Sequence, residues 1–181
     1  MALDRFLASV EARSFRMAEL STRNREDALD IVQDSMIKLV RRYSERPEAE
    51  WPALFRRILQ NTIVDFHRKR SVKNRVMSWV GMTAGEYEEQ VEDPIQTAKD
   101  NNAQEPYREL EKGLATEKMV AAVMELPLRQ QQTFLLRSWE GLNVKETAAA
   151  MGCSGGSVKT HYSRAIGSLK KKLLAQGIDW Q

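Results

Sequence analysis

The chain has 181 residues, 29% of them charged and 42% hydrophobic, with a net charge of +3. That composition excludes a fibrous or disordered polypeptide and leaves room for one domain or two small ones. No apolar run exceeds the six residues Met119–Met124, far short of the roughly 18 that a membrane helix needs. The N-terminal stretch is charged throughout, unlike a secretory signal. One cysteine, Cys153, and two histidines, His67 and His161, give no framework for disulfides or a metal cluster. The expectation is a cytoplasmic protein with no metal and no cofactor.

Charge is unevenly placed. Residues 1–70 carry 14 Lys/Arg against 11 Asp/Glu, residues 71–116 carry 5 against 9, and residues 117–181 carry 9 against 5. Two mildly basic blocks flanking an acidic one suggest a polyanionic partner, though weakly.

The first block lacks glycine, and its first proline is Pro47. Its periodicity predicts helices over Asp4–Leu20 and Glu26–Tyr43, with a break at Ser21–Arg25. A turn over Ser44–Glu50 follows, bounded by Pro47 and Pro52, and then a helix from Pro52 to about Arg70. In the second helix Ala28, Leu29, Val32, Met36, Leu39 and Tyr43 form the expected core stripe. The opposite face carries Asp30, Gln33, Asp34 and Arg41, with the apolar Ile37 among them. An apolar residue rimmed by charge suggests a protein contact, although single exposed apolar residues are also common. The third helix buries Phe55, Ile58, Leu59, Ile63 and Phe66. Its other side presents Arg57, Asn61 and Arg68, with Asp65 at the border. Such a face suits nucleic acid, and a merely solvated basic face is the alternative.

Residues 71–116 contain Gly81, Gly85, Pro94, Pro106 and Gly113 and the acidic stretch Glu86–Asp93. They read as a flexible acidic linker, with some helix near Tyr107–Lys112 and an apolar patch around Val76–Met82 suited to docking.

The last block predicts helices over Glu117–Glu125, Arg129–Glu140, Val144–Met151 and about Gly155–Ala175, with Gly141 and Gly152 as stops. A short helix, a glycine turn and a longer helix make a helix-turn-helix. The second of these helices carries an apolar stripe at Val158, Tyr162, Ala165, Leu169 and Leu173. Lys159, Thr160, Ser163 and Arg164 lie opposite it, polar and cationic as a major-groove face requires, and Ser157 begins the helix. A plain helical hairpin is the alternative for this block alone. The fold class expected is all-α: two small helical domains, 1–71 and 117–181, joined by the linker 72–116.

Several segments in order carry a resemblance. Asn24-Arg25-Glu26-Asp27-Ala28-Leu29-Asp30-Ile31-Val32-Gln33-Asp34, Trp51…Leu54-Phe55-Arg56-Arg57-Ile58-Leu59-Gln60-Asn61 and Asp65-Phe66-His67-Arg68-Lys69-Arg70 are three of them. The run from Leu126-Pro127 through Arg137, Glu140-Gly141-Leu142 and Ser157-Val158-Lys159-Thr160 to Leu169 is the fourth. The chain resembles an extracytoplasmic-function sigma factor, a promoter-specificity subunit of bacterial RNA polymerase, over nearly its whole length. It departs from the family pattern at Leu54, where tryptophan is usual, and at Gly155-Gly156, where Pro-x-Gly is common.

The resemblance implies a sigma-2-like domain, a linker and a sigma-4-like domain. Asp30, Gln33, Asp34, Ile37 and Arg41 would dock on the clamp of the polymerase's largest subunit. Arg57, Asn61, Asp65 and Arg68 would hold the −10 element of promoter DNA. Arg137, Ser157, Lys159, Thr160, Ser163 and Arg164 would engage the −35 element. The acidic linker would thread the polymerase RNA channel, and an anti-sigma factor would hold the protein inactive. A helix-turn-helix regulator that acts without polymerase is the competing class. An enzyme built on Cys153 lacks a nearby acid–histidine pair.

Overall fold

The computed structural model describes residues 2–79 and 117–178, and these are helical, without strands. Helix α1 spans Ala2–Thr22, α2 Arg25–Tyr43 and α3 Trp51–Trp79, with a 3₁₀ turn at Glu48–Glu50 before α3. Helix α4 spans Glu117–Met124 and α5 Leu128–Phe134, which continues as a π turn over Leu135–Trp139. Helix α6 spans Val144–Met151 and α7 Gly155–Ala175. The linker, the predicted helix near Tyr107–Lys112 and the core of the apolar patch from residue 80 onward lie outside the described residues.

The helix ends follow local chemistry. Asn24 caps α2, its side-chain oxygen accepting from the amides of Glu26 at 2.8 Å and Asp27 at 3.0 Å. Before it, Arg23 turns left-handed at φ 57° to end α1. Trp51 opens α3, and its indole nitrogen donates to the Tyr43 carbonyl at 3.1 Å, tying the start of α3 to the end of α2. Phe6 of α1 meets Trp51 and Phe55, each with ring centroids 6.0 Å away. Leu20, Leu39, Phe55, Leu59 and Ile63 fill the space between the three helices.

One predicted boundary and one predicted core position differ. Helix α3 runs on through Arg70 to Trp79, because nothing from Ser71 to Ser78 breaks a helix: no proline or glycine stands there. Leu29, expected in the core, is 40% exposed, and Ile31 and Ser35 take the buried side of α2 in its place. A leucine beside the core stripe is indistinguishable from a core leucine by hydropathy alone.

In the second half, Phe134, Leu136, Val158, Leu169 and Leu173 are buried around the helix-turn-helix. Asn143 and Glu146 form a reciprocal capping box at α6. Gly152 ends α6 in the left-handed region at φ 65°, where a side chain is strained. Ser154 caps α7 by accepting from the Ser157 amide at 3.1 Å.

The two halves pack directly on one another, largely through α3 against α6. Gln132 of α5 donates to the side-chain oxygen of Gln60 at 2.8 Å and to its carbonyl at 3.3 Å. Gln131 donates to the carbonyl of Leu20 at 3.2 Å, supplying a donor to the unpaired end of α1. Arg23 reaches the carbonyl of Met124 at 2.5 Å. Glu140 faces Arg13 at 3.5 Å and Arg56 at 3.7 Å. The sequence reading has two domains on a flexible tether and is silent on contact between them; α3 against α6, with the buried glutamines beside it, joins them.

Candidate nucleic-acid and protein interfaces

On α2, Asp30, Gln33, Asp34, Ile37 and Arg41 are all exposed. They share one outward side with Leu29, which the sequence reading placed in the core, and Val40, which it did not single out, 40% and 41% exposed beside Ile37 at 46%. Residues 29, 33, 37 and 40 recur at helical spacing, so this is one stripe. Ile37 is therefore part of a three-residue apolar strip rather than an isolated exception. The spacing was available in the sequence, and assigning Leu29 to the core concealed it. Charged neighbours rim the strip, as at a protein–protein interface.

On α3, residues 57, 61, 65 and 68 fall on a second stripe. Arg57, Asn61 and Arg68 are exposed and Asp65 is half-buried. Arg68 pairs with Asp65 at 3.3 Å, one turn apart in solvent, which fixes little energy but orients the guanidinium along the helix. The exposed loop 44–50 adjoins the start of this helix.

In the helix-turn-helix, Lys159, Ser163 and Arg164 are exposed on α7 opposite buried Val158, Ala165 and Leu169. Thr160 lies between them, its hydroxyl bonded to the Gly156 carbonyl at 3.1 Å. Ser157 contributes mainly to the helix start, its amide and hydroxyl both meeting the Ser154 hydroxyl. Gly155 has a packing reason: a Cβ there would lie 3.3 Å from a methyl of Val144. A side chain there would ask Val144 to give by a few tenths of an ångström, so the fit of α6 on α7 in the turn is close.

Arg137 is held inside this unit rather than swinging free. Its guanidinium donates to the Leu142 carbonyl at 2.8 Å and stacks 5.4 Å above the Tyr162 ring. Tyr162 in turn pairs with Ser138 at 3.0 Å. The π turn over Leu135–Trp139 sets this up, since the extra residue in the turn redirects Arg137 and Glu140. Nothing in the sequence periodicity marked it.

Cys153 is half-buried in the turn, and burial pushes its thiol above the ordinary range, with Arg129 opposing. It is a neutral packing group near pH 7. Among the described residues no cluster of His, Cys, Asp and Glu could hold a metal, and no helix is long and apolar enough to cross a membrane.

The comparisons with known proteins agree with this layout. The family model for sigma-70 region 4 matches residues 116–169, the helix-turn-helix half. RNA polymerase sigma factor SigV of Bacillus subtilis is 29% identical over 91% of this chain and 86% of its own length. The extracytoplasmic-function sigma factor EcfG of Rhodopseudomonas palustris is 28% identical over 97% of this chain and 87% of its own. RNA polymerase sigma-E factor of Streptomyces coelicolor is 25% identical over 84% and 75%. The sigma factor RpoE of Bartonella quintana, solved with the anti-sigma factor NepR, shares the fold with a TM-score of 0.63 at 21% identity, covering 94% of this chain and 96% of that one. With relatives that match both halves in order, and the region 4 family model on the helix-turn-helix half, the chain is similar to the extracytoplasmic-function sigma factors of RNA polymerase over nearly its whole length.

Proposed function

We propose that this protein binds core RNA polymerase and directs it to a particular class of promoter. The carrying observation is the strip Leu29, Ile37 and Val40, exposed and rimmed by Asp30, Gln33, Asp34 and Arg41. A subunit docking on the clamp of the largest polymerase subunit uses such a face for that contact; a regulator whose first domain dimerises would use it for a second copy, which the core-dependence of the test below separates. The domain division is then 1–79, through the end of α3, for core binding and −10 recognition, the segment after α3 up to 116 as linker, and 117–181 for −35 recognition. Arg57, Asn61, Asp65 and Arg68 serve the −10 element, with Asn61 offering an amide to a base edge. Lys159, Thr160, Ser163 and Arg164 serve the −35 element in the major groove. Ser157 and Arg137 support them, one by starting the recognition helix and the other by bracing it against Tyr162.

The protein acts by binding and not by catalysis. It works in the cytoplasm, where core polymerase is, and an anti-sigma factor is its further partner. The test is a run-off transcription assay with purified core polymerase on a genomic promoter library. Discrete start sites that depend on both core and this protein support the reading. A specific footprint by the protein alone, with no core-dependent start, would favour the free-standing regulator.

A further inference from the structure

Helix α3 is longer than its packing requires. Among the described side chains, Phe66 is the last apolar residue of α3 that meets the core. Ser71 is half-buried, and beyond it Val72, Lys73 and Arg75 are all exposed, Val72 at 56%. Yet the helix runs on to Trp79.

This overhang is cationic. Arg68, Lys69, Arg70, Lys73 and Arg75 follow in close succession, and after Asp65 the next acidic residue is Glu86. Asp65 pairs with Arg68. No acid stands three or four positions from Arg70, Lys73 or Arg75, so none has a helical neighbour to neutralise it, and Lys69 and Lys73, one turn apart, repel each other. The helix dipole does not account for these cations. It acts within the last turn, and the last turn of α3 has no basic residue.

Their placement continues the face assigned above to the −10 element. Residues 57, 61, 68, 72 and 75 advance in steps that keep to one side of a helix, so Arg75 stands in line with Arg57, Asn61 and Arg68. Lys69 and Lys73 form a second row, roughly 100–140° round the helix from the first. At ~1.5 Å per residue, Arg75 lies about 21 Å past Asn61, the length of about six base pairs. It is therefore beyond any base that Asn61 can reach. Two rows of cations facing different directions suit a duplex, with its two rows of phosphates, better than one separated strand.

We infer that the overhang of α3 clamps the phosphates of paired DNA beside the −10 element, with Lys69, Lys73 and Arg75 as its contacts. The paired side is the one toward −35, because the strands on the other side separate when the promoter opens. The inference rests on the sigma reading above. It adds to the two sequence elements a contact that depends on spacer phosphates and not on spacer sequence.

The test uses holoenzyme assembled from core polymerase and the full chain, with two promoter templates. One carries the −10 element as a single strand, its duplex ending at the upstream edge of the element. The other extends that duplex by about eight base pairs, enough to pass Arg75. Wild-type holoenzyme should bind the longer template more tightly. Lys73→Ala with Arg75→Ala should remove most of that gain. Its deficit should shrink by about tenfold between roughly 50 and 200 mM salt, as the loss of two phosphate contacts requires. Core affinity, binding to the shorter template and the ranking of −10 variants should stay unchanged. Lys73→Glu with Arg75→Glu should turn the gain into a loss. An equal gain from the added duplex in the wild type and both variants overturns the clamp. So does a deficit in core affinity, which would make the overhang a polymerase contact. If wild-type holoenzyme binds neither template, the sigma reading fails and the clamp with it. Binding to both with no variant effect removes the clamp alone.

Discussion

Arg137 and Lys159 look interchangeable in the sequence, two cations in a basic half, but their surroundings separate them. Arg137 is bonded to the Leu142 carbonyl and stacked on Tyr162, so Arg137→Ala removes a brace from the recognition helix. It should lower the stability of the protein by about 1–3 kcal/mol through the unpaired carbonyl and lost stacking, read as a lower melting temperature, as well as weaken binding to every promoter. Lys159 is exposed, so Lys159→Ala should leave stability within about 0.5 kcal/mol. If it reads a base, it relaxes the preference among −35 variants by about 1–3 kcal/mol on the best site. A competition assay with single-base −35 substitutions at two salt concentrations separates these outcomes. A uniform loss over all promoters, with a salt slope smaller by roughly one counterion, marks Lys159 as a phosphate contact. Cys153 contrasts with both. Burial raises its thiol, so Cys153→Ser should leave transcription near normal, and alkylation of the native protein should be slow until it unfolds.

At the scale of the element, most helix starts and stops were legible because they depend on a few residues in sequence, the end of α3 at Trp79 excepted. Asn24, Asn143, Gly152 and Ser154 each end or begin a helix where their chemistry requires it. Asn143→Ala should cost about 0.5–2 kcal/mol in chemical denaturation by removing the capping box of α6. Faces were less legible. Leu29 and Leu39 are the same residue type on the same helix, yet one is 40% exposed and the other fully buried. Only packing against α1 and α3 decides between them. The exposed strip on α2 predicts that Asp34→Arg together with Ile37→Asp lowers core affinity at least tenfold with helicity unchanged, since charge reversal and a buried carboxylate each cost several kcal/mol at an interface. Unaltered affinity in a titration would remove α2 from the docking surface. Asn61→Ala should reduce promoter opening, read by permanganate reactivity, more than it reduces core binding; equal losses would make Asn61 structural.

Over the whole molecule, the sequence disclosed three helices, a linker and a helix-turn-helix, but not how the halves meet. Gln60, Gln131 and Gln132 were unremarkable polar residues in amphipathic helices, and their burial depends on partners 72 and 111 positions away. Hydropathy treats a satisfied buried amide and a solvated one alike. The π turn that aims Glu140 at Arg13 and Arg56 was equally invisible, because a one-residue insertion in the hydrogen-bond ladder leaves composition unchanged. The exposed stripes on α2, α3 and α7 were less affected by these omissions, because along one helix spacing in sequence becomes position on a surface.

The central claim is that this chain confers promoter specificity on core polymerase, and core-dependent run-off transcription tests it most directly. Core polymerase alone should give no discrete products from the library. Core with this protein should give a small set of start sites sharing two upstream elements, and the Asp34→Arg, Ile37→Asp variant should abolish them. Start sites unchanged by that variant, or none with the wild-type protein, would contradict the account.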